Sequence, residues 1–397
     1  MNETTSALSA IDDSAETAQL SPRLSRASTV VLSVIFALTG VGTALLGSSL
    51  PAVLAHWSLD DRDGGYLFLL AWLGSSLGAA LSRGNPVNSV TRGLLLVAAS
   101  CFMLLHAGRL AIFPLIFTYG IGLGISMTSI SLVRSQRTEG RRSQEMNRLN
   151  MLWALGALAC PILARHALRT SSINYLLAIV GTVFAVAFLW TLSAEPRVSG
   201  QHDRHAPAPT GGDPPLPVLL CAFSALIVGV ESSIGGWLTT YAQRIDHSVA
   251  GAVTVTSAFW AGLLLSRALH STRTMARVPS ATTLKGHLWL TAISASLLCA
   301  ITSSGWLLAA AFCAGFGLGP LYPTLLTLVL PRYRGNRVFL LAGLGSAAFP
   351  WMTGWVSTQT GSLRVGLLVP GAAACLLVAL SWGALRTFRS PVRSSAA

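Results

Sequence analysis

The sequence predicts an all-α membrane protein with twelve transmembrane helices arranged as two six-helix repeats. Three observations support this fold class. First, 52% of the 397 residues are hydrophobic and only 10% are charged, whereas soluble domains carry about 25% charged residues. Second, the apolar residues form runs of about 20, the length that a helix needs to cross a bilayer with its backbone bonded internally. Third, motifs of the first half recur in the second half in the same order.

The apolar runs form two groups of six, separated by a polar stretch. Residues 193–215 contain APAPTGGDPPLP, a composition typical of a flexible linker. We expect six-helix bundles at 29–192 and 216–385, with cytoplasmic tails at 1–28 and 386–397. The first tail is polar and contains Asp12, Asp13 and Glu16, so we expect it to be disordered, and it lacks the basic start and apolar centre of a signal peptide. The predicted spans are 29–54, 64–82, 93–108, 110–133, 147–164, 173–192, 216–241, 248–267, 286–303, 305–330, 338–358 and 363–385.

The basic residues predict the orientation of the chain. The net charge is +13, but the charges lie in short gaps between spans, which indicates contact with anionic lipid rather than nucleic acid. If both termini are cytoplasmic, no basic residue lies inside a span and all but six of the 27 Lys and Arg residues face the cytoplasm. This bias predicts an inner (plasma) membrane protein with an even number of helices. The six outer residues are Arg62, Arg109, Arg165, Arg169, Arg244 and Arg364.

Matching motifs indicate that a six-helix unit was duplicated. The fifth span contains Asn147-Arg148, Leu155-Gly156 and Pro161, and 189 residues later the eleventh contains Asn336-Arg337, Leu344-Gly345 and Pro350. The second span ends Gly78-x-x-x-Ser82-Arg83, and the eighth ends Gly262-x-x-x-Ser266-Arg267. The fourth and tenth spans each carry three alternating glycines. Repeats of this kind place a binding site between the halves, near the bilayer midplane.

These features resemble the major facilitator superfamily, and within it the fucose/hexose:proton symporter branch. The matching segments are GTALLGSSLPAV, NRLNMLWALGALACPIL, GVESSIGGWLTTYA, FWAGLLLSRAL and GFGLGPLYPTLL, in the first, fifth, seventh, eighth and tenth spans. The resemblance implies alternating access and import of a small neutral polar solute, such as a sugar, with protons. Two features depart from the pattern. Ser82 replaces the Asp of the usual Gly-x-x-x-Asp-Arg-x-Gly loop, and the first and fourth spans have none of the acids that sugar symporters of this branch can carry there.

Glu231 is the only one of the fourteen acidic residues that is predicted well inside a span. An ionisable group at that depth costs a few kcal/mol, so we interpret it as functional. It is predicted to bind the coupled proton or to accept a hydrogen bond from the substrate. The alternative is a protonated Glu that bonds to a neighbouring helix.

Five polar or aromatic residues are candidates for the substrate cavity. Trp237 and Tyr241 lie four residues apart on the seventh span, and such rings suit a sugar or flat ligand. Their alternative is the aromatic belt at the membrane interface. Asn150 of the fifth span, with Trp153 beside it, is expected to touch the substrate because an unbonded Asn in a span is costly. Tyr322 of the tenth span completes the set.

Gly319-Pro320 and Pro323 surround Tyr322 in the tenth span. Proline interrupts the helical hydrogen bonds, which permits a bend beside a cavity. We therefore predict a hinge here. The alternative is that the glycines serve only close packing.

Charged residues at the outer end of the bundle predict a gate between the halves. Asp60, Asp61 and Asp63 follow the first span, whereas Arg244 and Arg364 lie in outer loops of the second half. Pairing between these acids and arginines would close the outer end.

A second gate is predicted at the cytoplasmic end. From residue 247 onward the chain has no Asp or Glu, so the inner loops of the second half are purely basic. We expect Glu145 to pair with Arg267 or Arg334, in place of the acid missing at position 82, in a gate that includes Arg83. The alternative is that these arginines only face lipid phosphate.

The sequence favours a transporter over an enzyme. It contains no P-loop, paired acids, metal-ligand cluster or Ser/His/Asp arrangement, so neither ATP drive nor a cofactor is expected. The best interpretation is a monomeric, proton-coupled secondary transporter with a small-molecule substrate, protons and membrane lipids as partners. Two alternatives are a proton-antiport exporter of amphipathic drugs or metabolites, and a transporter-like sensor or structural membrane protein.

Overall fold

The computed structural model of the chain describes residues 26–82, 86–136, 142–170, 172–194, 218–272, 275, 278–301, 303–329 and 337–389. Apart from short turns, these residues are helical. The first half contains α1 (Arg26–His56), α2 (Asp61–Leu81), α3 (Pro86–Leu104), α4 (Ile112–Gln136), α5 (Arg142–Thr170) and α6 (Asn174–Ala194). The second half contains α7 (Val218–Asp246), α8 (Val249–His270), α9 (Ser280–Ala300), α10 (Ser304–Leu318), α11 (Leu321–Val329), α12 (Arg337–Thr360), α13 (Leu363–Gly366) and α14 (Leu368–Arg389).

The helices form twelve passes, which confirms the predicted fold class. Helices α10 and α11 together make the tenth pass, and α13 and α14 make the twelfth. Within the described residues, nine passes are long and apolar enough to cross a membrane. Helix α1 begins three residues before the predicted first bundle, and α14 ends four residues after the second. The predicted linker at 193–215 lies almost entirely outside the described residues.

The two halves pack their helices in the same pattern. In the first half α1 lies against α5, α2 and α3 lie against α4, and α3 also lies against α6. In the second half α7 lies against α12, α8 and α9 lie against α10, and α9 also lies against α14. When the helices are numbered by pass, adding six to each number in the contacts of the first half gives the contacts of the second half. The duplication inferred from sequence motifs is therefore present in the packing.

The recurring Leu-Gly motif has a packing role in each half. The backbone of Ala37 in α1 fills the space where a Cβ of Gly156 would lie, and the backbone of Ala225 in α7 does the same for Gly345. Small residues allow helix backbones to approach closely in a membrane bundle. The motif thus holds α5 against α1, and α12 against α7.

Among the described residues, the halves meet mainly along three helix pairs, α2 with α12, α5 with α8, and α1 with α7. Glu231 lies on α7, Trp153 on α5 and Arg267 on α8. The packing therefore brings candidate site residues from different parts of the sequence to the junction of the halves.

Candidate functional site

Glu231 lies near the midpoint of the 29-residue helix α7 and is 9% exposed. Both of its carboxylate oxygens lie 3.5 Å from Nη2 of Arg267. This separation is at the long limit of a hydrogen bond, so the two groups form a loose ion pair. Glu231 is therefore a buried acid, as predicted, but it has a charged partner that the sequence analysis did not assign to it.

The predicted position of Arg267 was wrong. We expected the eighth span to end at this residue and its side chain to lie in a cytoplasmic loop. Helix α8 instead continues to His270, and the Arg267 side chain is only 10% exposed. Side chains on a helix tilt toward its N-terminus, and the N-terminus of α8 lies at the opposite end of the bundle. Arg267 consequently reaches back toward the middle of the bundle and meets Glu231.

The break in the tenth pass follows from its two prolines. Helix α10 ends just before Gly319-Pro320, and α11 begins just after it. In a continuous helix, the carbonyls of Phe316 and Gly319 would accept hydrogen bonds from residues 320 and 323. Because Pro320 and Pro323 have no N–H, both carbonyls are left without these partners. The predicted hinge thus coincides with an interruption of the helical hydrogen bonds, where Gly319 keeps helical backbone angles, and bending at this point stays a prediction.

Two basic side chains bind the carbonyls that the prolines leave free. Nδ1 of His287, from α9, lies 3.2 Å from the Phe316 oxygen. Nε of Arg267 donates to the Gly319 oxygen at 3.1 Å. Arg267 therefore contacts Glu231 and the helix break at the same time, through different nitrogens.

Two tryptophans complete the contact between the halves at this site. The Arg267 guanidinium lies 5.6 Å from the centre of the Trp153 ring, within the range of a cation–π interaction. Trp153 also meets Trp260 of α8 edge to face, with 5.8 Å between ring centres. Nε1 of Trp153 lies 3.4 Å from Oγ1 of Thr43 in α1. Trp153, which we predicted for the substrate cavity, is thus the first-half residue that touches the charged pair.

Trp260 is a site residue that the sequence analysis missed. The residue is 5% exposed, and its Nε1 is buried without a hydrogen-bond partner among the described residues. Trp260 and Arg267 are seven residues apart, so they lie on nearly the same face of α8. That spacing, within FWAGLLLSRAL, is the sequence signal that would have placed both residues in the bundle.

Asn150 and Tyr322 lie near this cluster but form none of its hydrogen bonds. Asn150 is half-buried in α5, about one turn before Trp153. Tyr322 is half-buried in α11, packs on the apolar core, and lies within electrostatic reach of Glu231. Their contact with substrate stays a prediction.

Trp237 and Tyr241 are enclosed by protein in this conformation. Trp237 is fully buried, donates to the Pro350 oxygen at 2.9 Å, and packs against Phe68 of the first half. The Tyr241 hydroxyl donates to the Leu298 oxygen at 2.9 Å. Both residues lie further along α7 than Glu231, Trp237 by about 9 Å. Their place in a substrate cavity also stays a prediction.

Most of the predicted cytoplasmic gate lies beyond what the structure describes. Arg83 and Arg334 are outside the described residues, and so is the side chain of Glu145. Arg267 pairs with Glu231 here, rather than with an acid of the predicted gate. A gate that uses Glu145 stays a prediction.

An ion pair joins the halves at the end of the bundle opposite the termini. Nη1 and Nη2 of Arg244 donate to the two carboxylate oxygens of Asp61 at 2.8 and 2.6 Å. Ser357 of α12 donates to the same carboxylate at 2.5 Å. Asp61 is 9% exposed, and the paired geometry is that of strong Arg–carboxylate contacts. One pairing of the predicted outer gate is therefore confirmed, and this end of the bundle is closed.

The other charged residues of the predicted outer gate bind within their own halves. Asp60 caps the start of α2 by accepting from the Asp63 backbone N–H. Asp63 pairs with Arg109 at 3.1 Å. Arg364 donates to the carbonyl oxygens of Cys299 and Ala300. These contacts do not join one half to the other.

The central cluster has the groups that a coupled binding site needs. Glu231 can take up or release a proton, Arg267 can bind an anionic or hydrogen-bond-accepting group, and the tryptophans offer apolar faces. The cluster also joins α5, α7 and α8 to the break in the tenth pass. A change of charge here can therefore act on the junction between the halves.

Comparisons with known proteins agree with this architecture. A sequence profile of the Major Facilitator Superfamily matches residues 32–338. Protein TsgA of Salmonella schwarzengrund (strain CVM19633) is 26% identical over 236 residues, and Protein TsgA of Salmonella arizonae (strain ATCC BAA-731 / CDC346-86 / RSK2980) is 27% identical over 238. Each match covers 57% of this chain and 60% of the relative. The chain thus matches about three fifths of the length of these curated relatives.

A solved structure shows the same fold. It is the crystal structure of a bacterial homolog to the human lysosomal transporter Spinster, in an inward-facing and unoccupied conformation. The TM-score is 0.68 with 16% sequence identity, over 90% of this chain and 96% of that one. Twelve passes in two repeats and a profile that covers most of the sequence lead to one conclusion: the chain is a multi-pass membrane protein that belongs to the major facilitator superfamily.

Proposed function

We propose that this transporter moves a small polar solute by alternating access and couples that movement to protons through Glu231. The observation that carries the proposal is the ion pair of Glu231 and Arg267 inside the bundle. Ionisable groups within membrane spans are rare and mark substrate or proton pathways. This pair lies at the junction of the halves, in contact with Trp153 of the first half.

The physical basis of coupling is the change of charge at Glu231. With Glu231 ionised, the pair is neutral overall and Arg267 is held between Glu231 and Gly319. Protonation of Glu231 removes this attraction and leaves Arg267 free to bind the solute. The two protonation states therefore favour different arrangements of α7, α8 and the tenth pass, as a two-state transport cycle requires.

Transport in proteoliposomes tests the proposal. A thermal-shift screen of sugars, carboxylates and amphipathic compounds first identifies a solute that stabilises the protein, since ligand binding raises stability by mass action. Accumulation of that solute is then measured with and without an imposed pH gradient. We expect gradient-driven accumulation by the wild type, and exchange without accumulation by Glu231→Gln. Unchanged gradient-driven accumulation by Glu231→Gln would reject Glu231 as the coupling residue.

The aromatic contacts of the site favour one second candidate. Trp153 and Trp260 present apolar ring faces beside the charged pair, and such surfaces suit an amphipathic compound exported by proton antiport. The same proteoliposomes distinguish the candidates by direction. A symporter accumulates solute on the side to which protons flow, whereas an antiporter depletes it there.

We also propose how the protein is oriented in the membrane and that it is a monomer. Both termini and the linker at 193–215 face the cytoplasm of a bacterial inner membrane, and the transporter works as a monomer among lipids whose phosphates meet its basic loops. The excess of Lys and Arg on the side of the termini supports this orientation. Labelling of a single cysteine in the linker by a membrane-impermeant reagent, in intact and in broken cells, tests it. Labelling in intact cells would contradict it.

A further inference from the structure

The guanidinium of Arg267 has donors that the structure does not use. Nε binds the Gly319 carbonyl, and Nη2 makes the loose contact with Glu231. Nη1 forms no hydrogen bond within the described part of the chain. A guanidinium presents its donors as a planar fork that matches a carboxylate. Arg267 is thus equipped to bind a second anionic group, or to exchange Glu231 for one.

The indole of Trp260 supplies a second unused donor on the same helix face. Its Nε1 is buried and has no hydrogen-bond partner within the described residues, and the whole residue is only 5% exposed. Buried polar groups normally have a hydrogen-bond partner. An unpaired indole N–H two helical turns from Arg267, with Trp153 in contact with both residues, indicates a ligand that accepts hydrogen bonds and has an apolar part.

Charge balance links the proton to this ligand. An arginine buried without its carboxylate partner is strongly unfavourable. When Glu231 binds a proton, Arg267 becomes such a residue. A carboxylate brought by the solute restores the pair, so the site has the same net charge before and after one proton and one anion have bound.

From these observations we infer that the solute carries a carboxylate, which takes the place of Glu231 on Arg267 when Glu231 is protonated. The inference rests on the proposed function, since it assigns the substrate class of the same site. The solute also carries an apolar ring or chain, which packs against Trp153 and Trp260. The proton stays on the Glu231 carboxyl and no covalent bond changes.

The surroundings of Glu231 contain few other ionisable groups. Among the described residues, Arg267 of α8 is the charged group that acts on it, and the phenol of Tyr322 in α11 is the nearby titratable group. Helices α1, α12 and α14, which lie on or near α7, present no described charged group toward it. The pH dependence of anion binding is therefore expected to follow Glu231.

Matched pairs of small probes test the substrate class. Benzoate is compared with benzamide, and hexanoate with hexanamide, by thermal unfolding and titration of the purified full-length protein in detergent between pH 6 and pH 8. We expect the carboxylates to stabilise the wild type and the amides to have no effect at the same concentration. Carboxylate affinity rises as the pH falls, by up to about tenfold per pH unit, the slope of one proton taken up per anion.

Variants assign the effect to the named residues. Glu231→Gln binds the carboxylates with no pH dependence, and Arg267→Gln binds them at least about tenfold more weakly, the loss of a charge-assisted contact. Trp260→Phe keeps the ring and loses the N–H, so affinity falls by roughly two- to tenfold, as for one hydrogen bond. Trp306→Phe is the control, because Trp306 is 71% exposed and lies about 20 Å along the tenth pass from Gly319. If Arg267→Gln does not fold, Arg267→Lys and Trp260→Phe provide the test.

Three results would overturn the inference: equal stabilisation by amides and carboxylates, full carboxylate affinity in both the Arg267 and Trp260 variants, or no stabilisation by any carboxylate. The proposed function would survive them if a neutral solute is accumulated by a pH gradient that requires Glu231. The opposite outcome is carboxylate binding that requires Arg267 but does not depend on pH, together with transport that does not depend on the pH gradient. This outcome would reject proton coupling and support a carboxylate as the substrate.

Discussion

At the scale of single residues, Glu231 and Arg267 depend on each other. Both side chains are almost completely enclosed, with 12% and 10% of their surface exposed. The 3.5 Å contact between them is loose, whereas Arg267 binds the Gly319 carbonyl at 3.1 Å. A loose pair is easier to separate than a short one, which suits a site whose charges must part during transport.

Neutralising one partner is expected to destabilise the protein more than neutralising both. Glu231→Gln or Arg267→Gln alone leaves one buried charge unpaired, at a cost of about 3–5 kcal/mol. The double variant Glu231→Gln with Arg267→Gln removes both charges and should recover at least about half of that loss. Thermal unfolding in detergent, followed by tryptophan fluorescence, measures each variant. Additive losses in the double variant would show that the two residues are not coupled.

The sequence predicted the acid of this pair but not its partner. Glu231 was identifiable because a carboxylate in the middle of an apolar run has few alternatives. Arg267 lies at the end of the apolar run. A residue at this position can lie in a loop or point inward from the last turn of the helix, and the neighbouring sequence is the same in both cases. The extra turn of α8 and the tilt of its side chain, which place Arg267 against Glu231, are set by packing of α8 on α5 and α7.

At the scale of the helix, the tenth pass depends on Pro323 to leave the Gly319 carbonyl free for Arg267. Pro323→Ala restores an N–H that can bond to this carbonyl, so it competes with Arg267 and closes one of the missing helical hydrogen bonds. We expect the transport rate to fall about three- to tenfold, because the new hydrogen bond stabilises one conformational state of the transporter by about 1 kcal/mol. Affinity for the solute should change by less than about twofold. Initial rates in proteoliposomes and equilibrium titration measure the two quantities.

Pro161→Ala in α5 is the matched control for this change. It also restores a helical N–H, but the carbonyl four residues earlier, that of Ala157, receives no side-chain hydrogen bond in the described structure. The transport rate of this variant should stay within about twofold of the wild type. An equal loss of rate in both proline variants would show that the contact between Arg267 and the Gly319 carbonyl has no specific role in transport.

The contacts of the predicted hinge follow only in part from the sequence. Proline chemistry alone predicts which carbonyls are released, because the missing N–H always lies four residues after its acceptor. It cannot predict that His287 and Arg267 bind those carbonyls, since α8 and α9 are brought to the tenth pass only by tertiary packing. The repeat of helices, in contrast, was fully visible in motifs such as Leu155-Gly156 and Leu344-Gly345, because close helix contacts require glycine.

At the scale of the whole molecule, the closed end of the bundle is held by Asp61 with Arg244 and Ser357. Asp61→Asn keeps the size of the side chain and removes its charge, so the equilibrium between the two halves should shift toward opening at that end. Asp61 is enclosed, but the side chain of Arg244 is 47% exposed, so solvent screens the pair and we assign it about 1 kcal/mol, the upper end of the range for exposed pairs. We therefore expect at most about a fivefold change in the population of the open state.

Distances between spin labels on the two halves measure this shift. Gly108 and Gly305 suit the labels, since both lie at this end in opposite halves and an added side chain at either meets no neighbouring atom. Asp63→Asn is the control, because Asp63 pairs with Arg109 of its own half and should leave the distance distribution unchanged. The same distribution in wild type and Asp61→Asn would show that packing alone closes this end.

In the proposed mechanism, Glu231 carries the proton that is coupled to the solute. Proton uptake on binding tests it most directly. The purified protein is mixed, in weakly buffered solution with a pH indicator, with the solute that stabilises it most in the thermal-shift screen. The wild type is predicted to take up about one proton per bound molecule, and Glu231→Gln none at the same occupancy. Equal proton uptake by both proteins, or none by the wild type, would contradict the account.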